Sequence, residues 1–183
     1  MKKYKIIALI GKAGAGKDAL MKRILSKCDY KWHEIVSCTT RPPREGEVNG
    51  VNYFFLTKEQ FGDKMLNHEI LEASIFNDWF YGTEYESLRS DCINIGVFNP
   101  DGIYALLDRP DIDLKVYYVR APAKARLLRQ LNREDNPNVD EIVRRYTADE
   151  KDFYDLDFKY TEINNESLSD FESAAQQILG ENS

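Results

Sequence analysis

The first clear pattern along the chain is an unbroken apolar run, Ile6-Ile7-Ala8-Leu9-Ile10. It lacks the alternation of a half-buried strand, so residues 5–10 predict a strand buried on both faces, as in a parallel sheet covered by helices. Over 19–27 the spacing changes to three and four: Leu20 and Ile24, with Met21 and Leu25, form one helical stripe. Residues 33–38 predict a second short strand. Pro42, Pro43, Gly46 and Gly50 exclude a helix in the stretch that follows. Thr57-Lys58-Glu59-Gln60 has the form of a capping box. The helix it opens is expected to carry Phe61, Met65 and Leu66 inward and to stop near Asn67-His68. Residues 92–102 predict a buried strand entering a turn, and 114–119 a further strand. Pro122 suits the first turn of the next helix, with Leu127, Leu128 and Leu131 toward the core and Arg126, Arg129 and Arg133 on the polar side. Asn138-x-x-Glu141 looks like another capping box, 158–164 the last strand, and 169–179 a capped helix ended by Gly180. Strands alternating with helices, several apolar throughout, predict a doubly wound α/β fold with a mostly parallel sheet.

Composition narrows the class. A chain of 183 residues, 43% hydrophobic and 31% charged, is one ordinary globular domain. No apolar run approaches the ~20 residues that span a bilayer, so no membrane partner is expected. Met1-Lys2-Lys3-Tyr4-Lys5 is basic and leads into apolar residues, as a signal peptide does, but the run is too short for one. A net charge of −6 argues against a general nucleic-acid binder. Cys28, Cys38 and Cys92 are odd in number and widely spaced, and there are only two histidines, which disfavours a zinc site. Reduced thiols in a cytoplasmic setting are the simplest account. Cys28 should pack on the first helix, and His33 reads as a surface or structural histidine.

Candidate chemistry begins directly after the first strand, at Gly11-Lys12-Ala13-Gly14-Ala15-Gly16-Lys17-Asp18. Strand, glycine-rich turn and helix form the context of a phosphate-binding loop, the Walker A pattern G-x-x-x-x-G-K. The glycines let successive N–H groups converge on one concavity, the helix start adds its positive dipole end, and Lys17 supplies a cation for outer phosphates. Asp18 stands where a hydroxyl usually holds Mg²⁺. A carboxylate can also meet that ion, because magnesium favours oxygen ligands. Further on, Arg41 and Arg44 flank a stiff Pro-Pro pair and can grip a phosphate, with Tyr53 adding a hydroxyl. A solvated basic turn is the competing reading of that stretch taken by itself.

The glycine loop, Ser37-Cys38-Thr39-Thr40-Arg41-x-x-Arg44-x-Gly46-Glu47-x-Asn49-Gly50-x-x-Tyr53-x-Phe55 and Tyr81-Gly82-Thr83 together resemble guanylate kinase in order and spacing. The resemblance is specific to about residue 83 and looser after residue 90. It implies a P-loop kinase fold, with a core at 1–36 and 91–183, a nucleoside-monophosphate-binding region near 37–90 and a lid near 130–140. It implies that Arg41, Arg44, Tyr53 and Tyr81 hold the acceptor phosphate. Glu72 would accept from guanine N1–H and the N2 amino group, a planar acceptor pair meeting a planar donor pair, and Thr83 and Ser37 would lie on the O6 side. Asn99 falls where the family has a base-contacting aspartate, and Val97 where it has an earlier one. Arg129, Arg133 and Arg145 would be the lid arginines, and Asn164 would approach the adenine. Gly11, Ala13, Gly14, Ala15, Gly16, Lys17 and Asp18 would hold ATP.

These residues together imply ATP-dependent phosphorylation of GMP or dGMP, with Mg²⁺ accompanying ATP near Asp18, by a monomer or homodimer. Asn99 and Asp18 leave open a nucleoside monophosphate kinase of different base choice. A third reading is a non-catalytic guanylate-kinase-like module that binds phosphopeptide.

Overall fold

The computed structural model describes residues 3–28, 31–76, 78–133 and 136–182. Residues 134 and 135, inside the expected lid, lie outside them, as do Met1 and Lys2. The strands are β1 (Tyr4–Ile10), β2 (Trp32–Glu34), β3 (Cys38–Thr39), β4 (Phe54–Phe55), β5 (Ile70–Phe76), β6 (Trp79–Glu84), β7 (Ile93–Val97), β8 (Ile112–Arg120) and β9 (Thr161–Asn164). The helices are α1 (Lys17–Lys27), α2 (Lys58–Leu66), α3 (Pro100–Leu107), α4 (Ala123–Leu131), α5 (Val139–Asp152) and α6 (Leu168–Gly180). A five-stranded sheet has the order β2-β7-β1-β8-β9. Its pairs β2–β7 and β8–β9 are parallel. A second sheet has the order β4-β3-β6-β5. Among the described residues no helix is long and apolar enough to cross a membrane.

Contacts gather the chain into two compact units, Met1–Ile7 with Tyr30–Leu114 and Ala8–Asp29 with Lys115–Ser183. The apolar run of β1 behaves as its sequence predicts: Ile6 to Ile10 are fully buried. In the second unit Leu20 and Ile24 of α1 and Ala175 and Ile178 of α6 are buried, and the two helices are tied at the surface by Arg23 donating to Glu172 at 2.8 Å. In the first unit Cys38, Phe61 and Ile70 form a small core with Leu56, Ala73 and Phe80, and Phe61 stacks on Phe80.

Several local expectations need correction. The second strand is two short ones, β2 and β3, in different sheets. The Thr57–Gln60 capping box forms in both directions, yet only Phe61 of α2 is buried; Met65 and Leu66 are exposed. Leu128 and Leu131 of α4 are likewise exposed, whereas Arg126 is buried. A single helix on a small sheet buries only a narrow stripe, and in α4 charge partners on α5 take that stripe. The turn expected by residue 102 is the start of α3, with Asn99 as its N-cap. Asn138 caps α5 by accepting from Glu141 N–H at 3.0 Å, but the Glu141 carboxylate accepts from Arg144 instead of closing the box. The last helix is capped by Ser167 with Asp170.

Candidate nucleotide-binding site

The residues expected to hold the phosphoryl donor lie in the second unit. The chain leaves β1 at Gly11 and turns through Gly14 (φ 78°) and Gly16 (φ 93°), both left-handed. A Cβ on Gly14 would lie 2.4 Å from the Arg126 carbonyl oxygen, so backbone closeness demands glycine there as much as φ does. Gly16 is the N-cap of α1 and offers no side chain to the first-turn amides, which leaves them available to an anion. Lys17 Nζ donates to the Gly11 carbonyl at 2.6 Å, curling back over the loop. Desolvation lowers the Lys17 pKa, against the pull of Asp18 and Asp149. Asp18 is exposed in the first turn of α1.

The loop is braced from behind. Arg129 donates to the Gly14 and Ala15 carbonyls at 3.3 and 3.4 Å and to the Asn165 carbonyl at 2.8 Å. Buried Asn165 donates to the Ala15 carbonyl at 2.7 Å. Asn164, expected near the adenine, is exposed at the end of β9; the inward neighbour at the loop is Asn165. Strand alternation carries the signal, since Ile163 faces in and Asn164 out, and the chain turns after them. Of the expected lid arginines, Arg129 meets the loop carbonyls, Arg133 is exposed, and Arg145 pairs with Glu141 at 3.3 Å. The spacing missed Asp149, one turn beyond Arg145, whose Oδ2 accepts from the Ala13 N–H at 2.6 Å.

The residues expected to hold the acceptor lie in the first unit. Arg41 is buried. It donates to the Pro42 carbonyl at 2.7 Å and to Glu47 Oε1 at 2.9 Å, and lies over the Tyr53 and Phe55 rings. Burial would lower its pKa, but Glu47 and Tyr81 outweigh burial and raise it. The same Glu47 carboxylate accepts from the Arg44 N–H at 2.7 Å. Tyr53 and Tyr81 meet edge to face at 6.1 Å. Arg41, Tyr53 and Tyr81 therefore come together, while Arg44 contributes an exposed side chain. Ser37 is half-buried and accepts from the Phe54 N–H through its carbonyl.

The residues expected to read the base share the β5–β6 ladder, where Glu72 pairs with Thr83 and Ser74 with Tyr81. Burial pushes the Glu72 carboxyl up to about 7, opposed by the adjacent Thr83 hydroxyl. Thr83 Oγ1 is fully enclosed without a hydrogen bond of good geometry. Asn99 is engaged at both ends of its amide: Oδ1 accepts from Gly102 N–H and Nδ2 donates to Ser74 Oγ, each at 2.9 Å. Ser74 was not among the expected residues; counting two from Glu72 along the strand reaches it. Cys38 is buried, with its thiol pushed up to about 12 by burial. His33 Nε2 donates to the Ser87 carbonyl, with Nδ1 accepting from Arg89, a structural role.

A mostly parallel α/β sheet whose first strand runs through a glycine loop into a helix, with a lysine curled over the loop, defines a P-loop nucleotide-binding domain of the kinase type. The sequence profile of the guanylate kinase family matches residues 3–182. The chain belongs to the guanylate kinase family, a family of nucleoside monophosphate kinases. It is 47% identical over 81 residues to the guanylate kinase of Mesoplasma florum, a match covering 44% of this chain and 27% of that protein. It is 29% identical over 180 residues to that of Mycoplasmoides gallisepticum, covering 95% of this chain and 91% of that protein. The match thus spans about a quarter of the first relative and nearly all of the second. A solved guanylate kinase from Anaplasma phagocytophilum shares the fold with a TM-score of 0.69 at 19% identity, over 100% of this chain and 86% of that one.

Proposed function

We propose that this chain transfers the terminal phosphoryl group of ATP to GMP or dGMP. The observation that carries the reading is the acceptor half itself: a buried carboxyl, Glu72, on the same ladder as Tyr81, with Arg41 and Tyr53 beside that tyrosine. Guanine presents N1–H and N2–H side by side, and a carboxylate accepts both; adenine lacks that pair. The donor half supplies backbone amides and Lys17 for the ATP phosphates.

The reaction is an in-line transfer between oxygens, so the protein's work is positioning and charge neutralisation. Arg41, Arg44, Tyr53 and Tyr81 would hold the acceptor phosphate, and Arg133 and Arg145 would offset charge at the transferring group. Arg129, bonded to loop carbonyls, would act by keeping the loop's amides aimed at the donor. Among the described residues no group of three or more His, Cys, Asp and Glu is placed to hold a metal. Mg²⁺ would arrive with ATP, and exposed Asp18 in the first turn of α1 would be the nearby carboxylate. When bound it supplies charge neutralisation on the donor phosphates.

One observation favours a second reading of the base pocket. With Oδ1 capping α3 and Nδ2 on Ser74, Asn99 offers no carboxylate to the guanine N2 amino group, so base choice need not be confined to guanine. The test is coupled ADP release with ATP and Mg²⁺ against GMP, dGMP, AMP, dAMP, CMP, UMP and dTMP. Turnover confined to guanine nucleotides is expected. Turnover on another base would keep the kinase and reassign the pocket; none on any would move the chain to a binding module.

A further inference from the structure

The phosphate loop already holds an anion that belongs to the chain. Asp149 lies on α5, four residues beyond Arg145 and so on the same helical face. Its Oδ2 accepts the Ala13 N–H at 2.6 Å, at the middle of the loop. Burial raises the pKa of this carboxyl, opposed by the Ala13 N–H and by the positive charges of Lys17, Arg126 and Arg145. Arg126 Nη1 lies 4.0 Å from the same oxygen, is buried, and has no hydrogen-bond partner of its own. Next to Asp149, Glu150 pairs instead with Lys12 at 2.6 Å and with Arg126 Nη2 at 3.2 Å.

A single N–H donates one strong hydrogen bond at a time. A phosphate oxygen entering the loop and the Asp149 carboxylate therefore compete for Ala13, and two anions at that spacing repel. We propose that Asp149 is a built-in stand-in for a donor phosphate oxygen, which a polyphosphate must displace from the Ala13 N–H, so that Asp149 sets how tightly the donor binds. The inference rests on the reading that this loop takes phosphate. Its consequence is a loop kept in its anion-bound shape when no donor is present, at the expense of donor affinity.

The test uses the full chain and metal-free inorganic tripolyphosphate, followed by calorimetry. Asp149→Asn keeps an oxygen acceptor of the same shape and removes the charge. It should bind tripolyphosphate about tenfold more tightly than the unaltered protein, as expected when a charge-assisted competitor is lost. Glu150→Gln removes the same charge one residue away and should change binding much less. Unchanged or weaker binding by Asp149→Asn, an equal gain in Glu150→Gln, or no binding to any of the three proteins would overturn the proposal. A second readout needs no variant. In the unaltered protein the Ala13 amide and the Asp149 carboxyl carbon resonances should shift together as tripolyphosphate is added; an Asp149 resonance that stays still while Ala13 moves would also overturn it. ADP titrated in parallel separates the two readings. If ADP fails to bind while tripolyphosphate behaves as expected, the nucleotide reading fails and the role of Asp149 stands.

Discussion

A Cβ on Gly102 would lie 2.9 Å from Glu72 Oε2. The absence of a side chain in the first turn of α3 is what admits the Glu72 carboxyl there, close to the positive end of that helix. Gly102→Ala would press on the carboxylate, which must shift by a few tenths of an ångström. GMP binding is expected to weaken by roughly tenfold with little change in melting temperature, measurable by calorimetry and thermal unfolding on the same samples.

Glu72 should also make stability depend on pH. Burial raises its pKa from 4.5 to about 7. Between those values the folded chain keeps a proton that the unfolded chain has released. Stability from this group is therefore complete below about pH 4.5 and is lost as the pH rises through about 7, by up to about 3 kcal/mol. Urea unfolding at pH 5 and pH 8 should show that loss in the unaltered protein and not in Glu72→Gln. Guanine donors favour the ionised form, so GMP binding near pH 6 should release protons, seen as a binding enthalpy that depends on the buffer.

Lys17 curls over the loop with its ammonium on the Gly11 carbonyl. Lys17→Met removes the cation and keeps much of the stem. Turnover should fall by ~10²-fold or more, the scale of losing one preorganised charge contact in a transition state, with an unchanged circular dichroism spectrum. Turnover within threefold of normal would rule out the role.

Glu47 holds both the Arg41 guanidinium and the Arg44 backbone, so on the proposed reading it is a positioning residue for the phosphate grip. Glu47→Gln should raise the KM for GMP by about tenfold and leave kcat near its original value, whereas Arg41→Ala should raise KM further. Steady-state kinetics at saturating ATP separates the two; an effect of Glu47→Gln on kcat alone would contradict the positioning role.

Cys38 sits in the acceptor half but is buried, with its thiol pushed up to about 12. A thiol reagent at pH 8 should leave Cys38 unmodified in the native protein while labelling the more accessible Cys28 and Cys92. Peptide mapping after a short exposure checks this.

The order of residues determined whatever is local. An unbroken apolar run is buried on both faces, so β1 was legible from Ile6 to Ile10. The glycine loop between strand and helix was legible as a turn from its three glycines, and the Thr57–Gln60 cap is formed by residues three apart. Order and spacing also singled out Arg41 and Tyr53 beside the stiff Pro-Pro turn, and the resemblance to guanylate kinase added Glu72, Tyr81 and Thr83, which the structure places on β5 and β6. The tertiary structure decided what depends on partners far away in sequence. Arg126 is buried rather than solvated because Asp149 and Glu150, more than twenty residues on, face it. Asn99 caps a helix and bonds Ser74, 25 residues earlier. Asp149 reaches Ala13 across 136 residues. Periodicity reports which face of an element turns inward, but not which charge waits there; that is set by packing, where a buried ion must find its partner or a buried amide its acceptor.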